Sequence, residues 1–374
     1  MIVDLMNEKW LYAANIVLSR FINAGRRSLP KQIRSVMVVK WDEIGDMASA
    51  VHIFDLVKKA HPQAEITVLC KPFVATLIEN HPAIFKVITR LEDWKMRYDI
   101  VVELRGTWGT LLKSFHWSTG PKYRLDRGWI RFRQRGNQPH EILTNYRIVL
   151  PLIGPESGAI LAVEALMKER KLYPSIADRT LAEAWKCWAL AGCSRDVLGY
   201  AILHTGARNV LRRWSSARYA ELSKWLLAEK KLIPIWVGTP EEQVQMQEVI
   251  EYGGEGKVWI SGVTQPSSAA LLSFFAFIQQ ASLYVGNESG PLQLADIAEI
   301  PLVAIYGPGV PRVFYPLSKG SCVLHEVLAC NPCNQVVCSQ PQDRCIDRIA
   351  LTSVKLAVDQ VLGSAESFVQ KTNC

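Results

Sequence analysis

The feature that most constrains this chain is an alternation of short apolar runs with helix-period segments, and it occurs twice. The first series starts at residue 35. "SVMVVK" reads as a buried strand, followed by a helix over about 47–60, the strand "AEITVLC", the helix "PFVATLIENH", and the strands "KVITR" and "YDIVVELRG". The second series starts at "GYAILHTGA" and continues through "LIPIWVG", "KVWIS", "LYVGN" and "PLVAIYGP", with helical segments between them. Strands that alternate with helices specify a parallel sheet wrapped on both faces, so the predicted class is α/β with two doubly wound, Rossmann-like domains. The expected organisation is an N-terminal amphipathic helix and basic linker over 1–34 and a first domain over 35–165. A helical interdomain region follows over 166–198, then a second domain over 199–349, and a C-terminal helix and tail over 350–374. Ligands of such sheets bind outside the carboxyl ends of the strands, and in a two-domain version the cleft between the domains is the expected site.

Bulk properties narrow the function. Hydrophobic residues are 49% of the chain and charged residues 21%, a balance that builds cores and excludes a disordered protein. The longest uncharged apolar run, "AALLSFFAFI" (269–278), is far short of the ~18–20 residues of a membrane-spanning helix. Asp4 and Glu8 interrupt any basic-then-apolar leader, so a cytoplasmic location is expected. The net charge of +8 implies an acidic partner: nucleic acid, anionic lipid or a phosphorylated substrate. No nucleic-acid module accompanies the charge.

The strand ends carry the candidate chemistry. "KWDEIGDM" puts Gly45 and Asp46 where the first strand hands over to a helix; Asp46 is either an N-cap or a general base. "VVELRGTWG" places Glu103 and Arg105 on the same rim, as turn chemistry or as part of an acceptor site. In the second series, "LHTGARNVLRRW" offers Thr205, Gly206 and Arg212, a small-residue loop and a cation suited to phosphate. "NESGPLQLA" sets Glu288, Ser289 and Gly290 at a helix start with Pro291 in its first turn, which reads equally as a capped helix or an anion site. The dinucleotide, P-loop, zincin and hydrolase-elbow patterns are absent, which disfavours an NAD oxidoreductase.

Four of these segments, "VVKWDEIGDM", "YDIVVELRG", "LHTGARNVLRRW" and "VGNESGPLQLADIAEIPLVAIYGP", occur in an order and spacing that resembles the heptosyltransferases of glycosyltransferase family nine, over about residues 35–362. The resemblance implies a GT-B fold, two Rossmann-like domains facing a cleft. It also implies inverting transfer of a sugar from a nucleotide-diphosphate donor, ADP-heptose in the usual case, to a lipopolysaccharide-core acceptor. The resemblance further implies that no cofactor is required for catalysis and that the protein works peripherally at the inner face of the cytoplasmic membrane. Asp46 matches the family's proposed base. Thr205, Gly206, Ser289 and Gly290 match diphosphate-binding positions, and Glu242 in "VGTPEE" matches the donor-ribose position, with Glu241 its neighbour in register. The family's usual Asn-Asp-Ser-Gly-Pro-x-His has Glu288 for its Asp and Gln293 for its His here, and Arg212 stands for the lysine two before Trp214. These departures keep two rival readings open: the same fold with another nucleotide sugar, or a non-catalytic sugar-nucleotide-binding or scaffolding homologue.

Two further segments add expectations. Cys330, Cys333, Cys338 and Cys345 follow C-x2-C-x4-C-x6-C, which suits a tetrahedral structural zinc or iron site, reduced thiols, or a disulfide. "PKYRLDRGWIRFRQRG" (121–136) holds six basic residues and one acidic residue; Arg124 and Arg131 are candidates for contact with a phosphorylated lipid saccharide, the alternative being a solvated loop. At the N-terminus, Trp10, Ala14, Val17 and Phe21 form one helical stripe beside Leu11 and Leu18, with Arg26, Arg27, Lys31 and Arg34 after it. Such a helix lies on an anionic membrane surface or docks on its own domain.

Overall fold

The computed structural model describes residues 2–24, 29–128, 139–154, 163–331, 333 and 337–372, with side chains for most of them. Arg26, Arg27, Arg131, Arg133, Arg135 and Cys374 lie outside the described residues. The chain divides into two compact units, Met1–Tyr173 and Pro174–Cys374. The helical stretch expected between the domains is shared: Val163–Met167 belongs to the first unit and Ile176–Leu190 to the second.

The first unit is built on a parallel five-stranded sheet of order β3-β2-β1-β4-β5: β1 (Ser35–Lys40), β2 (Glu65–Cys70), β3 (Ile84–Ile88), β4 (Ile100–Arg105) and β5 (Tyr123–Asp126). Val36 to Val39 in the central strand are fully buried in succession, because helices cover both faces. Each such side chain removed from water contributes roughly 1.5–3 kcal/mol. Helix α1 (Ile2–Asn23) packs on β5 and on α5 (Trp108–Phe115). The single helix expected over about 47–60 is two, α2 (Ile44–Ala48) and α3 (His52–Ala60), and the expected helix at 72–81 shortens to α4 (Pro72–Ala75). Strand β5 falls inside the basic stretch and has no apolar run to announce it; it is an edge strand whose Arg124 turns inward. Helices α6 (Glu141–Ile153) and α7 (Val163–Met167) complete the unit.

The second unit opens with α8 (Ile176–Leu190) and carries a parallel six-stranded sheet of order β11-β10-β9-β6-β7-β8. Its strands are β6 (Gly199–His204), β7 (Leu232–Gly238), β8 (Lys257–Ile260), β9 (Leu283–Asn287), β10 (Leu302–Tyr306) and β11 (Ser321–His325). The connecting helices are α9 (Ser216–Lys230), α10 (Gln243–Glu251), α11 (Leu271–Ile278), α12 (Gly290–Ile297) and α13 (Pro311–Phe314), and α14 (Leu351–Thr372) closes the unit. β11 was not legible in the sequence: "SCVLH" is only half buried along its length. Because every described pairing is parallel, the strand ends named in the sequence gather along one edge of each sheet.

Candidate active site

In the first unit the carboxyl edge assembles around Asp46. The residue occupies the first turn of α2 and does not cap it; the cap position is Glu43, whose side chain pairs with Lys71 instead of capping the helix. The expected choice between a cap and a free carboxylate therefore falls to the second. Asp46 keeps part of its surface open, and no hydrogen bond from a described residue reaches its carboxylate.

Its neighbours form a charged network that the sequence reading did not assemble. Lys40, wholly buried at the end of β1, donates to Asp42 Oδ2 at 3.1 Å and stands 3.8 Å from Glu141 Oε1 of α6. Glu141 takes a two-pronged bond from Arg127, with Nη2 to Oε2 at 2.9 Å, and Arg105 Nε lies 3.6 Å from Asp42 Oδ1. Burial by itself would push the Asp42 carboxyl up, but Lys40 and Arg105 outweigh it and hold Asp42 below the ordinary range, hence ionised. Asp46 responds in the opposite sense. Burial first, then the negative charges of Asp42 and Glu141, against the opposing pull of Lys40 and Arg105, push it from 3.8 to about 6. Neighbouring carboxylates driven apart in this way are a signature of acid–base assignment.

The other residues expected on this rim separate into two groups. Arg105 and Glu103 line a cavity of about 330 Å³ together with Leu11, Tyr12, Asn15 and Trp108. Arg124 does not reach a surface. Its side chain is fully buried, donates to Ser19 Oγ at 2.7 Å and to Asn15, and pairs with buried Glu103. The bonds of Arg124 to Asn15 and Ser19 tie α1 to the sheet, and its pair with Glu103 joins β5 to β4.

In the second unit the strand ends build a polar basin. His204, at the end of β6, is buried; its Nδ1 lies 3.0 Å from Ser289 Oγ and its Nε2 lies 3.3 Å from Glu242 Oε2. Glu242 also accepts from the Thr239 amide at 3.1 Å. Burial would raise Glu242, but the His204 hydrogen bond and charge, with the Thr239 amide, win and hold it below the ordinary range. Glu241 is exposed, whereas Glu242 is half-buried and faces His204. A Cβ at Gly206 would meet the Glu242 carboxylate and push it aside, so the glycine lets Glu242 keep its place beside His204.

Ser289 sits at the N-cap position of α12 without capping it, since its hydroxyl donates to Asn287 O at 3.0 Å and meets His204. The first amides of α12, around Gly290, therefore carry no side-chain cap and remain a positive helix end. Asn287 ties the loops together, giving Nδ2 to Thr205 O at 2.8 Å and taking the Trp214 amide at 3.1 Å. Thr205 Oγ1 is buried and unpartnered among the described residues. Glu288 Oε1 is 3.3 Å from Arg212 Nη1, and its Oε2 lies where a Cβ on Gly309 would stand 1.9 Å away. Burial raises the Glu288 carboxyl, with Arg212 partly offsetting it. Gln293 is spent on the fold: it donates to Phe314 O at 2.7 Å and is buried, and its Oε1 has no partner among the described residues. His204 and Asn287 were the residues the sequence undervalued. Only their position at two adjacent parallel strand ends signals a role.

The sequence profile described as Glycosyltransferase family 9 (heptosyltransferase) matches residues 167–342, most of the second unit. The chain is similar to this family over that stretch. It is a glycosyltransferase. A "Putative glycosyltransferase" of Haemophilus influenzae is 22% identical over 77% of this chain and 84% of that protein. "Lipopolysaccharide heptosyltransferase 2" of Escherichia coli is 24% identical over 78% and 88%. Among solved structures, a family 9 glycosyl transferase from Veillonella parvula superposes with a TM-score of 0.71 at 16% identity, over 90% of this chain and all of that one. The E. coli ADP-heptose LPS heptosyltransferase II gives 0.65 at 18% identity, over 89% and 99%. The iron-containing dodecameric glycosyltransferase TibC of enterotoxigenic E. coli gives 0.53 at 12%, over 90% and 78%. These likenesses establish the GT-B fold for this chain.

Cys330, Cys333, Cys338 and Cys345 all line one cavity of about 20 Å³, beside Leu211, Pro308 and Arg344. The eight described cysteines are free thiols, so the disulfide alternative does not apply to this cluster. Burial first, then the nearby Cys330 and Cys333, push the Cys345 thiol up. Thiols are the donor type of a tetrahedral zinc or iron site, but among the described residues no group of three or more side chains stands at metal-holding separation.

Proposed function

We propose that this enzyme moves a sugar, heptose in the first instance, from a nucleotide-diphosphate donor to a hydroxyl of a lipopolysaccharide-core or related lipid-linked saccharide, with inversion. The observation that carries this reading is Asp46, a partly open carboxylate raised to about 6 and with no hydrogen bond to it from a described residue. As the acceptor oxygen attacks the anomeric carbon, Asp46 takes its proton and the bond from that carbon to the donor diphosphate breaks. A base near pKa 6 is ionised at neutral pH and still basic enough to assist.

The second unit is the donor side. The uncapped amides of α12 at Gly290, the Ser289 hydroxyl and the buried Thr205 hydroxyl face the charge that grows on the leaving diphosphate. Glu242, aligned by His204, accepts from the ribose hydroxyls. Arg212 is held by Glu288. Gln293 is occupied by Phe314, so sugar selection differs from that of a histidine at this position; this supports keeping a different nucleotide sugar as the second reading. In the first unit, the Arg105-lined cavity receives the acceptor, and the anionic inner face of the cytoplasmic membrane is the place of work. No helix among the described residues is long and apolar enough to cross a membrane.

The four cysteines would hold one structural zinc or iron, clamping the 330–345 loop against the strand-end loop at Pro308. Metal analysis of the purified protein is expected to find about one such ion per chain; none after anaerobic purification removes this assignment. For the reaction, nucleotide diphosphates and nucleotide sugars are screened for thermal stabilisation, followed by diphosphate release with core-saccharide acceptors. Stabilisation by an ADP-sugar and acceptor-dependent release are expected; no stabilisation by any nucleotide would sink the donor assignment.

A further inference from the structure

Helix α1 is docked the opposite way round from an ordinary amphipathic helix. Its polar Asn15 and Ser19, with Leu18, are buried against Arg124 and the sheet, while the stripe of Trp10, Val17 and Phe21 is 66–68% exposed. The neighbouring α5 repeats the pattern. Trp108, Leu112 and Phe115, spaced four and three apart on one helical face, are all exposed, and Trp117 in the turn that follows is 82% exposed. The two stripes are continuous, since Phe21 stacks on Phe115 with ring centroids 6.0 Å apart. A soluble surface rarely gathers this many large apolar side chains without a partner.

The charge around the patch selects the partner. Residues 9–34 and 106–123, which carry both stripes, hold eight of the 43 Lys and Arg and none of the 35 Asp and Glu. The rest of the chain is therefore electrically balanced, and the whole excess of +8 belongs to these two segments. Arg20 and His116 are exposed between the aromatic residues. Tryptophan and phenylalanine bordered by cations suit the headgroup zone of an anionic bilayer, where rings reach the acyl boundary and cations meet phosphate. The patch also runs into the 330 Å³ cavity, whose lining includes Leu11, Tyr12 and Trp108.

We propose that the solvent-facing stripes of α1 and α5 form a docking face for an anionic lipid bilayer, which brings a membrane-held acceptor to the cavity at the end of β4. This rests on the lipid-linked acceptor reading for its purpose, but the binding itself is measured without catalysis. The full-length protein is floated with phosphatidylglycerol-containing vesicles and with all-phosphatidylcholine vesicles. Binding to the first, weakened by salt, is expected. Phe21→Ser/Phe115→Ser/Trp117→Ser and, separately, Arg20→Glu are each expected to lower vesicle affinity by about tenfold or more. Both variants should keep the wild-type melting temperature and nucleotide stabilisation, which separates failure of this face from failure of the transferase reading. Absence of binding to anionic vesicles overturns the proposal, as does unchanged binding in a folded aromatic variant. A concentration-dependent dimer dispersed by the aromatic substitutions also overturns it, and assigns the face to a second copy of the chain.

Discussion

Replacing Asp46 with asparagine separates the two consequences of its environment. The folded protein raises this carboxyl from 3.8 to about 6, so the native state binds its proton more tightly than the unfolded chain does. Below about pH 4 the residue is protonated in both states and contributes nothing to pH-dependent stability. As the pH rises through the interval from 3.8 to 6, the unfolded state ionises first and stability falls. Above about pH 7 the loss is complete. One pKa unit corresponds to 1.36 kcal/mol, so the ionised carboxylate costs the fold up to about 3 kcal/mol. Asp46→Asn keeps the shape and removes the charge. In urea melts the variant is expected to match the wild type near pH 4 and to be more stable by up to about 3 kcal/mol at pH 8, while sugar transfer at pH 8 falls by at least about a hundredfold. The wild-type kcat/KM should rise about tenfold per pH unit up to about 6 and then level off. A variant no more stable than wild type at pH 8 would refute the electrostatic account, and one with near-normal turnover would refute the base assignment.

Glu103→Ala leaves the Arg124 guanidinium buried without its carboxylate and is expected to cost about 3–5 kcal/mol in chemical denaturation, far more than an exposed glutamate would. Asn287→Ala breaks the tie between Trp214 and Thr205; about 2–3 kcal/mol of stability and most nucleotide-induced thermal stabilisation should be lost together. Gly309→Ala drives a Cβ onto Glu288 and displaces it from Arg212, so donor KM is expected to rise several-fold with a smaller change in kcat, measured by steady-state kinetics.

The sequence reached the two α/β units because parallel strands buried on both faces need uninterrupted apolar runs, and "SVMVVK", "LIPIWVG" and "PLVAIYGP" are such runs. It missed β5 and β11, edge strands whose residues are partly polar or only half buried. Asp46, Ser289 and Gly290 were legible because strand-to-helix turns restrict residue type. The sequence could not show that neither Asp46 nor Ser289 serves as a helix cap, because a cap and a free group have the same composition.

What the chain determined alone was local: periodicity, turn chemistry, and the order of its motifs. Tertiary structure decided which charges meet. It placed Lys40, Asp42 and Glu141 around Asp46 from a strand end, a loop and a helix about a hundred residues along, and so set the basicity of Asp46. It buried Arg124, which the sequence offered to a ligand, and turned the apolar stripe of α1 outward. Electrostatic energy depends on distance and burial, and neither is written in a linear pattern until strands far apart in the chain lie side by side.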